Sequence, residues 1–309
     1  MKFGEFLRTC RQNAHMTQEQ LVEGLYLFDA VLFSGLDTTT LSKWERSITQ
    51  PKASKKVSIL RFFQEHFHEV LPCFSDISTP ENETHLCQMM IKKLILGKTK
   101  DIIMNFPSHM MTPEHLSLTH VRHLKEPHTF LEVAADLRNS VHPSLTQIDT
   151  EHLYRWSLHP SSFFITAQYK GFIIGFLFAL RVKKHVSRSL LHFEMPFNQL
   201  TDEDFASFQE CGSHIITHFF AWNEKAATML MLRFYAHLIT HRQQIDQIGA
   251  AVYYDDAKTI LGNMNIDPLT TYHEDGIKII SYRSSIQKVL LNEHVVKILF
   301  QKDNCPQEL

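Results

Sequence analysis

The apolar positions near the start of the chain recur at helical spacing. Phe3, Phe6, Leu7 and Cys10 share one face of a first helix. Thr17 with Gln20 three residues later has the capping-box pattern, which opens a second helix with Leu21 facing inward. Asp37 is a second N-cap and starts a helix over 38–46 that turns Leu41 and Trp44 inward. Pro51 prevents that helix from continuing. A fourth helix over 54–67 follows, with Val57, Leu60, Phe63 and Phe67 as its buried stripe.

Turn formers then dominate 71–83, which reads as a linker. Residues 83–96 predict a helix stopped by Gly97, whose Leu86, Met89, Met90, Leu94 and Ile95 suit either a dimer seam or packing on a neighbouring domain. Pro107 and Pro113 mark a second connector over 105–115. From about Leu116 the period becomes mixed. Strands are expected at 118–124, 162–169, 172–182, 214–220, 248–254 and 277–282, and helices at 130–140, 224–241 and 256–263. Lys170-Gly171 is a hairpin signal. The chain therefore reads as multidomain, with an all-α region 1–70, a helical linker 71–115 and an α+β region 116–309.

Composition narrows the class. With 309 residues, 44% hydrophobic and 21% charged, the chain suits a globular protein of roughly two domains. A net charge of -2 argues against a wholly basic nucleic-acid binder but allows one basic face. Five cysteines with no CxxC pair imply a reducing compartment and no thiolate metal site. No signal peptide and no apolar run long enough to span a membrane is evident, so a cytoplasmic location without membrane contact is expected.

Arg8, Arg11, Thr17, Gln18, Leu21, Leu41, Ser42, Trp44, Glu45 and Pro51 together resemble the helix-turn-helix of Xre-type (Cro/lambda-repressor-like) DNA-binding proteins. The resemblance implies that Thr38, Thr39, Thr40, Ser42 and Lys43 face base edges in the major groove. It places Gln18 on a backbone phosphate, and makes Arg46, Lys52, Lys55 and Lys56 phosphate contacts. Residues 1–66 carry slightly more Lys and Arg than Asp and Glu. Two departures stand out. The spacing from Thr17 to Trp44 is longer than usual, through an apolar insert between Gly24 and Gly35, and Ser47 replaces the usual glycine.

Trp156 with His159-Pro160, Phe163-Phe164-Ile165 and the run Gly171 to Phe176 resemble the early strands of the GNAT (N-acetyltransferase) fold. Residues 257–261 with Asn265-Ile266 resemble its late strand-helix segment. The resemblance implies that Asn223, Lys225, Ala226, Ala227 and Thr228 occupy the coenzyme A pyrophosphate loop. Both glycine positions of that loop carry a Cβ here, and Glu224 adds negative charge. Leu261 stands where a tyrosine often protonates the leaving thiolate, with Tyr253 and Tyr254 nearby. No catalytic residue is assigned.

Twenty histidines invite a metal reading, above all His214/His218 and His237/His241. Neither pair has the Glu of a zincin motif, so ordinary polar or interface roles are expected and no metal site is assigned. Cys211-Gly212-Ser213-His214 lacks an orienting third residue for a triad. Trp222, Phe234 and Tyr235 read as core rather than a ligand box. The expectation is a transcription regulator that binds double-stranded DNA as a homodimer. Its degenerate GNAT-like domain would sense a small-molecule or protein effector. No resident cofactor is expected, although a retained cleft leaves room for an acyl-CoA or another small ligand. The alternatives are an acyl-CoA-dependent acetyltransferase fused to a DNA-binding module, and a protein-interaction module derived from a helix-turn-helix.

Overall fold

The computed structural model describes residues 2–67, 102–104, 111–112, 115–141, 148–207, 209–274, 276–293, 295–296 and 300. The linker expected at 71–83 and the helix expected at 83–96 lie outside them, as does most of the connector at 105–115. The chain divides into two compact units: Met1–Ser78 with Leu290–Leu309, and Thr79–Val289.

The described residues 2–67 of the first unit form the helices α1 (Phe3–Asn13), α2 (Gln18–Phe28), α3 (Thr38–Glu45) and α4 (Ala53–Phe67). Caps set their starts. Thr17 Oγ1 accepts from Gln20 N while Gln20 Oε1 accepts from Thr17 N, and Asp37 Oδ1 accepts from Thr40 N. Phe3, Leu7, Leu21, Leu41 and Trp44 meet in the core. Gly4 is required there, because a Cβ would overlap the Trp44 carbonyl oxygen and lie 2.9 Å from that of Glu45.

The apolar insert divides its residues between core and surface. Leu25 and Phe33 are buried, whereas Leu27 and Val31 are 77% and 89% exposed. The buried stripe of α4 also differs from expectation. Ile59, Leu60, Phe62 and Phe63 face inward, Val57 is half-buried, and Phe67 lies at the surface. The described residues from Leu290 onward, assigned by sequence to the third region, cluster with this unit. Phe300 stands edge-on to Phe3 at 4.9 Å.

The second unit is built on a seven-stranded mixed sheet of order β1-β2-β3-β4-β5-β7-β6. The strands are β1 (Leu116–His120), β2 (Phe163–Tyr169), β3 (Phe172–Val182), β4 (Gly212–Ala221), β5 (Ile245–Val252), β6 (Asp267–Glu274) and β7 (Ile277–Ser285). All neighbours are antiparallel except β4 and β5. The helices are α5 (Pro127–Val141), α6 (Thr150–Leu158), α7 (Lys184–Leu191), α8 (Glu224–Thr240), α9 (Asp255–Asn263) and α10 (Ile286–Leu290). Lys170 and Gly171, at φ 49 and 81, form the tight β2–β3 turn. Central β3 is buried along nearly its whole length, as a strand covered on both faces must be.

The mixed sheet with one parallel pair, β4–β5, and its helices give this unit the α+β class expected from the sequence. Trp156, read with the early strands, lies instead in α6. Its neighbours Leu153 and Ser157 complete a helical buried face rather than an alternating one.

Candidate functional site

The parallel pairing of β4 and β5 stops short. It runs from Gly212 opposite Ile245 to Ile216 opposite Ala250. Beyond that point β4 follows β3 to Ala221, while β5 follows β7 to Val252. The separation opens a cleft of about 170 Å³. Its walls are Ile216, Thr217 and His218 of β4, Ala250 and Val252 of β5, Tyr253 and Tyr254, and Ile260, Leu261 and Met264 from α9 and its end.

A segment distant in sequence adds Ile102 to the lining of the cleft. Ile102 O accepts from Ala221 N at 3.0 Å, and Met104 N donates to Ala221 O at 2.9 Å. Ile103 thereby makes a parallel bridge to the tip of β4. Buried Asp256 anchors the segment by accepting from Ile102 N at 2.9 Å, and its other oxygen accepts from Ala257 N.

The residues aligned with a pyrophosphate loop lie together at the start of α8, already engaged. Asn223 caps the helix by accepting from Ala226 N at 3.0 Å, and its Nδ2 lies 3.2 Å from Met111 Sδ. Lys225 Nζ donates to Met111 O at 2.9 Å. Ala226, Ala227 and Thr228 are completely buried. The helix N-terminus thus has its own cap and Met111 against it. Leu261 is a buried wall of the cleft, and the rings of Tyr253 and Tyr254 stand 4.0 Å apart beside it.

In the first unit, Thr39, Lys43, Arg46 and Lys52 are exposed, and Thr38, Thr40 and Ser42 are half-buried. Gln18, expected on a phosphate, is hydrogen-bonded within the unit. Its Nε2 donates to Glu45 Oε2 at 2.8 Å, and Arg11 donates to the same carboxylate at 2.6 and 3.1 Å. A carboxylate only 4% exposed draws in these donors. Lys56 is also inside, over the Phe3 ring, with its Nζ on Gln50 Oε1.

The two histidine pairs recombine across elements. His214 of β4 and His237 of α8 place their Nε2 atoms 3.1 Å apart. Burial and neighbouring positive charge push them down to about 3 and about 2, so both rings are neutral near pH 7. His218 instead lines the β4–β5 cleft. Among the described residues no group of three or more His, Cys, Asp or Glu could hold a metal ion. Cys211 is exposed, whereas His214 is committed to His237. The sequence did not reveal the His214–His237 meeting, because the two belong to different elements and no spacing rule links them.

No known family profile matches the chain, and no curated protein matches it. Several solved structures resemble part of it. FeeM, an N-acyl amino acid synthase from uncultured soil microbes, is 9% identical, with a TM-score of 0.40 over 57% of this chain and 93% of its own. Naa50 of Arabidopsis thaliana, in complex with a bisubstrate analogue, is 11% identical, with a TM-score of 0.38 over 55% and 99%. The loading GNAT-like domain of CurA from Lyngbya majuscula is 11% identical, with a TM-score of 0.38 over 56% and 98%. No helix among the described residues is long and apolar enough to cross a membrane.

Proposed function

We propose that the second unit binds the acyl end of an acyl thioester in the cleft between β4 and β5. One observation carries this reading: the two strands part after Ile216 and Ala250 and leave an apolar slot between them. Its volume, about 170 Å³, is below the roughly 300 Å³ at which pockets for drug-sized ligands begin. It suits an acyl group with part of its thiol arm rather than a whole nucleotide cofactor. The capped start of α8 points the same way, since Asn223 Oδ1 already takes the Ala226 N–H and Lys225 Nζ is spent on Met111 O.

Calorimetry on the full chain tests this with hexanoyl-CoA and with the hexanoyl thioester of N-acetylcysteamine, which lacks the nucleotide. The two are expected to bind within tenfold of each other. Ile216→Trp, which fills the slot, is expected to abolish both. Absence of binding by either thioester removes the reading, as does full retention of binding in the variant.

A second reading is that the first unit binds double-stranded DNA, which would make the protein an acyl-responsive regulator acting as a homodimer. It is favoured by the exposure of Thr39, Lys43, Arg46 and Lys52 on and just beyond the capped helix α3. Lys43→Glu with Arg46→Glu is expected to eliminate salt-sensitive duplex binding without unfolding the unit. Duplex binding unchanged by the pair of substitutions would exclude α3 as the contact surface.

A further inference from the structure

A second cavity, of about 320 Å³, lies at the far end of α8 and shares no lining residue with the β4–β5 cleft. Three elements bring arginines to it. Arg122 comes from the turn after β1, Arg181 from β3 and Arg233 from α8. No Asp or Glu lines it. We propose that this cavity is a binding site for a phosphoryl group, either as free phosphate or as a phosphate monoester.

The buried guanidinium is the strongest part of the case. Arg181 is 2% exposed, and it donates to two neutral oxygens, Ser207 O at 2.7 Å and Gln244 Oε1 at 3.2 Å. These bonds hold its plane in place. Burial lowers its pKa below the ordinary arginine value, and the groups that oppose this, Cys211 and Glu210, both lie outside the cavity lining. Arg122 and Arg233 reach the same space from the surface. A guanidinium fork matches the paired oxygens of a phosphoryl group, which makes arginine clusters specific for that chemistry.

Hydroxyl donors complete the site. Ser162 Oγ is buried and has no partner among the described residues. It follows Ser161, whose hydroxyl lies 2.7 Å from His159 Nδ1. The end of α8 would by itself repel an anion, since its last carbonyls carry partial negative charge. Two of them are already bonded: His241 N donates to His237 O, and Arg242 Nη1 donates to Ile239 O.

The electrostatic field agrees with the geometry. His120, His214 and His237 are all lowered, chiefly by burial. The fixed cations around them push the same way: Arg122 and Arg233 on His120, and Arg181 on His214 and His237. A phosphoryl dianion in the cavity reverses that sign and favours protonation of the nearby rings.

The test is calorimetry on the full chain at pH 7 with inorganic phosphate and with methyl phosphate, together with 15N NMR of the histidine rings. Arg122→Gln/Arg233→Gln removes two exposed side chains and leaves the core intact. Wild-type protein is expected to bind at least one ligand, with His237 protonating at higher pH when it is bound. The double variant is expected to bind at least tenfold more weakly. Methyl phosphate binding as tightly as phosphate assigns the site to a monoester, and binding of inorganic phosphate alone assigns it to the free anion. Equal affinity in wild type and variant, or no binding and no histidine shift with either ligand, overturns the proposal. Neither result depends on whether the β4–β5 cleft takes a thioester.

Discussion

Replacing Glu45 by alanine tests the internal logic of the helical unit. The Glu45 and Arg11 side chains are 4% and 14% exposed. Arg11 donates to Glu45 through Nε at 2.6 Å and Nη2 at 3.1 Å, and Gln18 Nε2 donates to it at 2.8 Å. The Glu45 carboxylate holds the Arg11 guanidinium above its ordinary range by a hydrogen bond, against the opposing effect of burial. Deleting it leaves a nearly buried cation with Met16 O as its remaining acceptor. Breaking a buried pair from one side costs about 3–5 kcal/mol, a large part of the roughly 5–15 kcal/mol that holds a domain folded. Hydrogen exchange of peptides covering α1 to α3, read in the full chain, reports the loss locally. Protection is expected to fall by about 10²-fold or more, since about 1.4 kcal/mol is a factor of ten. Gln18→Ala, which leaves the Arg11–Glu45 pair in place, is expected to cost about 1 kcal/mol. A loss below about 1 kcal/mol for Glu45→Ala would refute the claim that this carboxylate organises the unit.

Other outcomes follow from particular positions. Ser47 sits at φ 57, where glycine is favoured, so Ser47→Gly is expected to raise the melting point of the helical unit, by about 0.5–1 kcal/mol of stability. Gly4→Ala is expected to destabilise the same unit strongly, because the Trp44 and Glu45 carbonyl oxygens cannot retreat without moving α3. His214 and His237 protonate near 6.5 when unfolded and only at about 3 and about 2 when folded. Their contribution to stability is therefore complete above pH 6.5. It falls with acidification through the window down to those values, by about 1.4 kcal/mol per pH unit for each ring. Urea titrations from pH 7.5 to 5 check this, and His237→Leu should flatten the profile.

The parts of the fold that could be read from the chain were those with a one-sided environment. α1 announced itself by a single buried stripe, α2 and α3 by their caps as well, and the β2–β3 hairpin by Lys170-Gly171. β6 was missed because it pairs only with β7 and is exposed or half-buried along both faces, so its residues show no alternation. α6 was hidden by Trp156-Ser157-Leu158 running into strand-like residues, and α7 by its position directly after β3. The cleft was legible only through the order of strands. Its shape depends on where β4 and β5 stop pairing, and on Ile102 to Met104 returning to Ala221 from more than a hundred residues away. The inward turn of Gln18 was illegible for a similar reason, since Glu45 lies 27 residues further on.

The most direct test of the acyl-binding cleft is an NMR measurement of intermolecular contacts. The full chain, 13C-labelled at Leu and Met methyl groups, is titrated with hexanoyl-CoA. Transfer from the acyl protons to the methyls of Leu261 and Met264, with Leu27 unaffected as an exposed control, is the result expected for a ligand lying between β4 and β5. Saturation of the protein without contacts at Leu261 or Met264 would place the acyl group elsewhere and contradict the assignment of the cleft.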